Sequence, residues 1–75
     1  MSGLATLLRM DRRGARVEAF ADAWAAAERD AGDALRAWWT APVYHQEDAY
    51  VVYRAALERE HQAAVMLAAA AEAQR

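Results

Sequence analysis

Two long segments of the chain place their apolar residues at steps of three and four, the spacing of an α-helix. In the first segment, at about residues 16–39, these positions are Val17, Phe20, Trp24, Ala31, Leu35 and Trp38. In the second segment, at about residues 46–73, the same steps run through Tyr50, Tyr53, Leu57, His61, Ala64, Ala68 and Ala71. Each pattern predicts a helix that turns one face toward a neighbour.

A strong helix break separates the two segments. Pro42 follows Trp39-Thr40-Ala41, and the residue before a proline avoids the helical region of the backbone. We therefore expect a turn at residues 40–45, with Glu47 and Asp48 in the first turns of the second helix, where their charge suits the helix dipole. The chain is then a single domain, residues 1–75, folded as an antiparallel two-helix hairpin. Residues 1–15 precede the first helix as a basic N-terminal arm.

The second helix is apolar on more than one side, because it also carries Val51, Val52, Val65 and Met66. A helix of this kind needs several neighbours, which one hairpin does not supply. A chain of 75 residues is marginally stable alone, and the absence of Cys removes disulfides as a remedy. We therefore expect an all-α fold in which two hairpins dimerise into a four-helix bundle.

Aromatic residues concentrate around the turn and suggest where chains meet. Trp and Tyr dominate the residues that contribute most to protein interfaces. Adjacent Trp38 and Trp39 cannot both face one seam, so we expect at least one of them to be exposed or to contact another chain. The candidate interface residues are Trp24, Trp38, Trp39, Tyr50, Tyr53 and Leu57. The partner that this predicts is a second copy, and the Trp38/Trp39 region is a candidate site for a different protein.

A polar cluster interrupts both apolar stripes. Glu28 lies in the stripe of the first helix, and a turn centred near Pro42 places it opposite Ala56. Charged residues within about one turn of that point are Arg54, Glu58, Glu60 and His61. Charges in an apolar seam are costly unless they are paired or bind a metal. Two interpretations follow: an ion pair of Glu28 with Arg54 or His61, or a metal site built from Glu28, Glu58 and His61.

The metal interpretation rests on Glu58-Arg59-Glu60-His61, a Glu-x-x-His motif with both ligands on one helix face. The segment Leu57–Ala64, together with Glu28 thirty residues before Glu58, resembles the encapsulated ferritins, short two-helix proteins whose subunits dimerise around a di-iron site. The resemblance implies that Glu28, Glu58 and His61 are iron ligands and that Asp30 is an acidic entry-site residue. It implies ferroxidase-type chemistry with iron or manganese as the cofactor.

Composition narrows the remaining function classes. Twenty-two residues are Ala, and all nine basic residues are Arg. The net charge of −2 disfavours nucleic acid, although the first sixteen residues carry four Arg against Asp11. No apolar run reaches the length of a membrane span, and we expect a cytoplasmic protein. The leading prediction is a small helical interaction or assembly module without a cofactor, acting as a homo-oligomer. The alternative is the ferritin-like di-metal protein, so enzymatic activity is left open.

Overall fold

The computed structural model describes residues 2–74, with side chains from Gly14 to Gln74. Helix α1 spans Ser2–Thr40 and helix α2 spans Gln46–Ala73. A single 3₁₀ turn, Val43–His45, lies between them, and residues 2–74 contain no strand. The two helices pack side by side along one antiparallel seam. The predicted all-α hairpin is therefore confirmed.

Helix α1 begins at Ser2, well before the predicted start near Arg16. Gly14 lies inside this helix, although a glycine costs a helix about 1 kcal/mol relative to Ala. That cost does not end a helix when the residues before Gly14 include Ala, Leu, Met and Arg, which all favour helix. The basic arm is thus the first part of α1.

The turn is compact and is held by the backbone. The His45 N–H donates to the Pro42 carbonyl at 2.8 Å, and the Ala41 N–H donates to the Trp38 carbonyl at 3.3 Å. The Thr40 hydroxyl donates to the Arg36 carbonyl at 2.9 Å, which satisfies an acceptor at the end of α1. Pro42 has extended backbone geometry, with φ −57° and ψ 153°, and so redirects the chain between the helices.

Alanine side chains form the buried centre of the seam. Ala31, Ala34 and Ala56 are buried, and Ala56 is only 1% exposed. Tyr53 and Leu57 pack against this group and are partly buried. No larger side chain is fully buried among the described residues. The helices approach closely at these small residues, and the larger side chains lie at the edges of the contact.

The observed register differs from the one predicted. Ala56 packs with Ala31 and Ala34, about one turn further along α1 than Glu28, which was placed opposite it. The reason is the turn: α1 continues to Thr40 and a 3₁₀ turn follows, so the centre of the loop lies beyond Pro42.

Helix α2 is also rotated relative to the predicted seam. Of the predicted positions, Tyr50, His61, Ala68 and Ala71 are exposed. Three predicted positions, Tyr53, Leu57 and Ala64, are partly buried as expected. The other positions turned toward α1 are Ala49, Ala56, Glu60, Ala63, Leu67 and Ala70. The rotation brings alanines to the centre of the contact, where they permit the close approach.

The hairpin is long and thin. It measures 65 × 14 × 12 Å, and its radius of gyration is 17.9 Å, against about 11 Å for a compact chain of this length. The end of α2 lies level with Arg16 and Phe20, as shown by the groove that these two residues line together with Ala73 and Gln74. The part of α1 before Arg16 therefore extends past α2 by about 20 Å. Within the described residues, neither helix has an apolar stretch long enough to cross a bilayer.

The alanine contact predicts a sharp size limit at Ala56. We expect Ala56→Leu to lower the free energy of unfolding by about 1–3 kcal/mol, because the added atoms have no room between the helices. The matched control is Ala68→Leu on the exposed side of the same helix, where the change is expected to cost less than about 0.5 kcal/mol. Urea titrations at one fixed protein concentration measure both values. Equal effects of the two substitutions would contradict the packing described here.

Candidate functional site

An aromatic cluster closes the turn end of the hairpin. The Trp38 ring stacks on Tyr53 with centroids 5.7 Å apart and 17° between the planes. Tyr50 meets the same indole at 5.1 Å in a tilted arrangement. Trp38, Tyr53 and Leu57 were predicted to lie between chains, and the structure places all three partly buried within the hairpin. Trp24 is also partly buried, lower on the same seam.

The residues beyond this cluster leave a second apolar surface at the tip of the hairpin. Trp39 is 77% exposed, Val43 is 84% exposed and Tyr44 is 79% exposed. A small cleft of about 270 Å³ between Trp38, Trp39 and Gln46 opens beside them. The prediction that Trp38 and Trp39 do not share one seam is therefore confirmed, because Trp38 is partly buried and Trp39 is mostly exposed.

Among the described side chains, a row of exposed apolar residues runs along α2. Val51, Val52, Val65 and Met66 are each between 52% and 66% exposed. At about 100° per residue they lie within about 140° of one another, on a side that Ala49, Tyr53 and Leu57 do not occupy. We call these four residues the outer face of α2. It is the surface that the apolar pattern of the second helix predicted.

Helix α1 differs sharply on its own outer side. Among its described side chains, Trp39 at the tip is the one large apolar residue that is mostly exposed. The side facing away from α2 is instead charged, with exposed Glu18, Asp22, Arg29, Asp33 and Arg36. Asp33 and Arg36 form an ion pair along the helix. From Gly14 to Thr40, α1 therefore presents a charged side to solvent, whereas α2 has apolar surface left to cover.

A groove of about 400 Å³ lies at the open end of the hairpin, beside the outer face of α2. Its lining is mostly apolar. The lining residues are Arg16, Phe20, Met66, Ala69, Ala70, Ala73 and Gln74. This groove was not predicted. The feature of the sequence that indicates it is the run of small residues from Ala68 to Ala71, which leaves space beside Phe20.

The polar cluster does not assemble within one chain. Glu28, Glu58 and His61 are all exposed, and Glu60 rather than His61 turns toward the seam. Among the described side chains, no three His, Asp or Glu residues converge to hold a metal ion. The ligands that the ferritin resemblance implies therefore do not fit a metal within a single hairpin.

The ion pair predicted for this region is also absent. Glu28 makes no salt bridge with Arg54 or His61 in the described part of the chain. Both the one-turn shift in register and the rotation of α2 separate these groups from the seam. The charges that looked costly in sequence are hydrated, so they need neither a partner nor a metal to be tolerated.

The chain matches no protein-family model, no curated protein and no solved structure. The surfaces described above are thus the basis for inferring function.

The two neighbouring tryptophans provide a matched test of the aromatic cluster. We expect Trp38→Ala to lower the free energy of unfolding by about 2 kcal/mol, because it removes a half-buried ring that stacks on Tyr53. Trp39→Ala should cost less than about 0.5 kcal/mol in the same urea titration, because that ring is mostly exposed. A larger effect at Trp39 than at Trp38 would show that their positions are exchanged.

Proposed function

We propose that this chain is a self-assembling helical module: a hairpin that associates with further copies of itself through the apolar surface of α2. The observation that carries this proposal is the outer face of α2, which remains exposed while the matching side of α1 is charged. Large exposed apolar patches on a folded chain mark contacts with another molecule.

The amount of uncovered surface supports the proposal. The hairpin exposes 6125 Å² of solvent-accessible surface, whereas a compact protein of 8.3 kDa exposes about 4,600 Å². Part of this excess belongs to the end of α1 that extends past α2. A standard interface buries roughly 800 Å² on each partner, and the elongated hairpin exposes enough surface to accommodate one.

The small core supports it as well. Three alanines are the only buried apolar residues among the described side chains. Burial contributes about 25 cal/mol for each Å² of apolar area, so alanines contribute little compared with Leu, Phe or Trp. Association would bury the valines and Met66 and would supply the apolar contacts that the seam lacks.

A second contact, with a different protein, is proposed at the tip of the hairpin. It is supported by Trp39, which is 77% exposed there. The ferritin-like alternative stays a prediction that requires ligands from two chains. Elemental analysis of the purified protein for iron and manganese tests it. Metal that is lost in Glu28→Ala or His61→Ala, but kept in Glu18→Ala, would favour that alternative.

Sedimentation equilibrium tests self-association directly. At micromolar concentration we expect a mass of two or more 8.3 kDa chains, because the apolar surface of α2 is covered only in the assembly. The experiment needs a concentration series from about 1 to 100 μM, in which a dimer with a micromolar or tighter dissociation constant is populated. A single-chain mass throughout this range would rule out the proposal.

A further inference from the structure

We infer that two copies of the chain pair through α2 in antiparallel orientation, about a two-fold axis that passes between Glu58 and Arg59. This inference rests on the proposed function and specifies its geometry. The occupant of the outer face of α2 is then the same face of a second copy, which is an isologous contact.

The spacing of the apolar residues carries the inference. Val51 and Val52 lie as far before the midpoint between Glu58 and Arg59 as Met66 and Val65 lie after it. In an antiparallel pair centred there, Val51 comes level with the partner's Met66, and Val52 comes level with the partner's Val65. Each exposed apolar pair thus meets the other pair, and the symmetry repeats the contact at both ends.

The charges at the centre agree with the same axis. Glu58 and Arg59 are exposed, and neither forms a salt bridge in the described part of the chain. Antiparallel pairing brings Glu58 level with the partner's Arg59, and the reciprocal pair forms on the other side of the axis. A parallel pair in register would instead set Glu58 against Glu58 and Arg59 against Arg59, which is unfavourable. Charge therefore favours the antiparallel arrangement.

The residues between the two apolar pairs combine a short side chain with a longer one. Ala55 and Gln62 lie at equal distances from the axis, so that Ala55 is level with the partner's Gln62. Both residues are exposed in the single hairpin. A short side chain opposite a longer polar one lets the backbones approach without stacking two large groups at the same height.

In this arrangement the groove at the open end of one hairpin lies close to the tip of the other. Tyr44, 79% exposed and two residues before the start of α2, comes near the level of the partner's Ala73, which lines the groove. Asp48 comes level with the partner's Ala69, near the Arg16 that lines the same groove. The pairing thus brings an exposed aromatic side chain to an apolar groove and an acid to the vicinity of the Arg16 guanidinium, which forms no salt bridge with the side chains described from Gly14 to Gln74.

Distances between identical positions test the orientation. The chain has no Cys, so His61→Cys and Ala71→Cys each introduce one spin-label site, and both positions are exposed and away from the outer face of α2. Along the helix axis, the antiparallel pair separates the two labels by about 8 Å at position 61 and about 38 Å at position 71.

The three outcomes of the dipolar measurement are distinct. A clearly longer distance at position 71 than at position 61 is the result we expect. Equal distances at the two positions would overturn the antiparallel pairing and leave self-association standing. The absence of any dipolar coupling between copies, together with a single-chain mass in sedimentation, would overturn both the pairing and the proposed function.

A charge reversal tests the position of the axis. Glu58→Arg places two like-charged contacts at the centre, and we expect the dimer dissociation constant to rise about tenfold at low salt. Glu58→Arg combined with Arg59→Glu restores opposite charges across the axis and should return the constant to within about threefold of the original. Glu18→Arg on α1 is the control, because it makes the same change outside the contact and should leave the constant unchanged.

The outcome of the reversal is decisive for the axis. A double variant that dissociates as readily as Glu58→Arg, or a single variant that dissociates no more readily than Glu18→Arg, would overturn the placement between Glu58 and Arg59. Circular dichroism of each variant checks that the hairpin remains helical, so that a loss of folding is not read as a loss of pairing.

Discussion

The close approach of α1 and α2 at Ala31, Ala34 and Ala56 determines where the other side chains of the hairpin lie. Small residues on both helices allow such packing, and Ala31 and Ala34 of α1 meet Ala56 of α2 at the buried centre. The larger residues are then displaced to the edges of the contact. Trp38, Tyr53 and Leu57 close over one edge, and the valines of α2 are left on another side.

This constraint has an energetic consequence. A seam of alanines gains little from removing apolar area from water, while ordering the chain costs about 1–2 kcal/mol of backbone entropy for each residue. The chain compensates through the strong helix propensity of its 22 Ala. The remaining apolar area on α2 is available for contact with another molecule, and a self-complementary pattern on that surface makes a second copy the simplest partner.

The helices and the turn could be predicted from the sequence, because steps of three and four and a proline after Trp39-Thr40-Ala41 are strong local signals. The start of α1 could not, since the cost of Gly14 is small beside the propensity of its neighbours. The rotation of α2 and the position of Ala56 also escaped prediction. When so many residues are Ala, several faces of a helix fit the same spacing, and the packing of Ala56 against Ala31 and Ala34 selects among them.

The candidate metal site also depended on the register and rotation of α2, which the local spacing of residues does not determine. Glu28 and His61 came together in the sequence argument only through an assumed centre for the turn, and a shift of one turn with a small rotation removed them from the seam. The surfaces that remained after this correction were apolar. They consist of the exposed valines and Met66, whose positions in the sequence predict a helix with more than one neighbour.

In the proposed assembly, folding of the hairpin and association through α2 are coupled. Thermal unfolding over a range of protein concentrations is the decisive measurement, because a folded dimer that unfolds to single chains gains stability by mass action. We predict that the midpoint temperature rises steadily with concentration, with about 1.4 kcal/mol of added stability for each tenfold increase. A midpoint that stays constant over a hundredfold range of concentration would show that folding and association are independent.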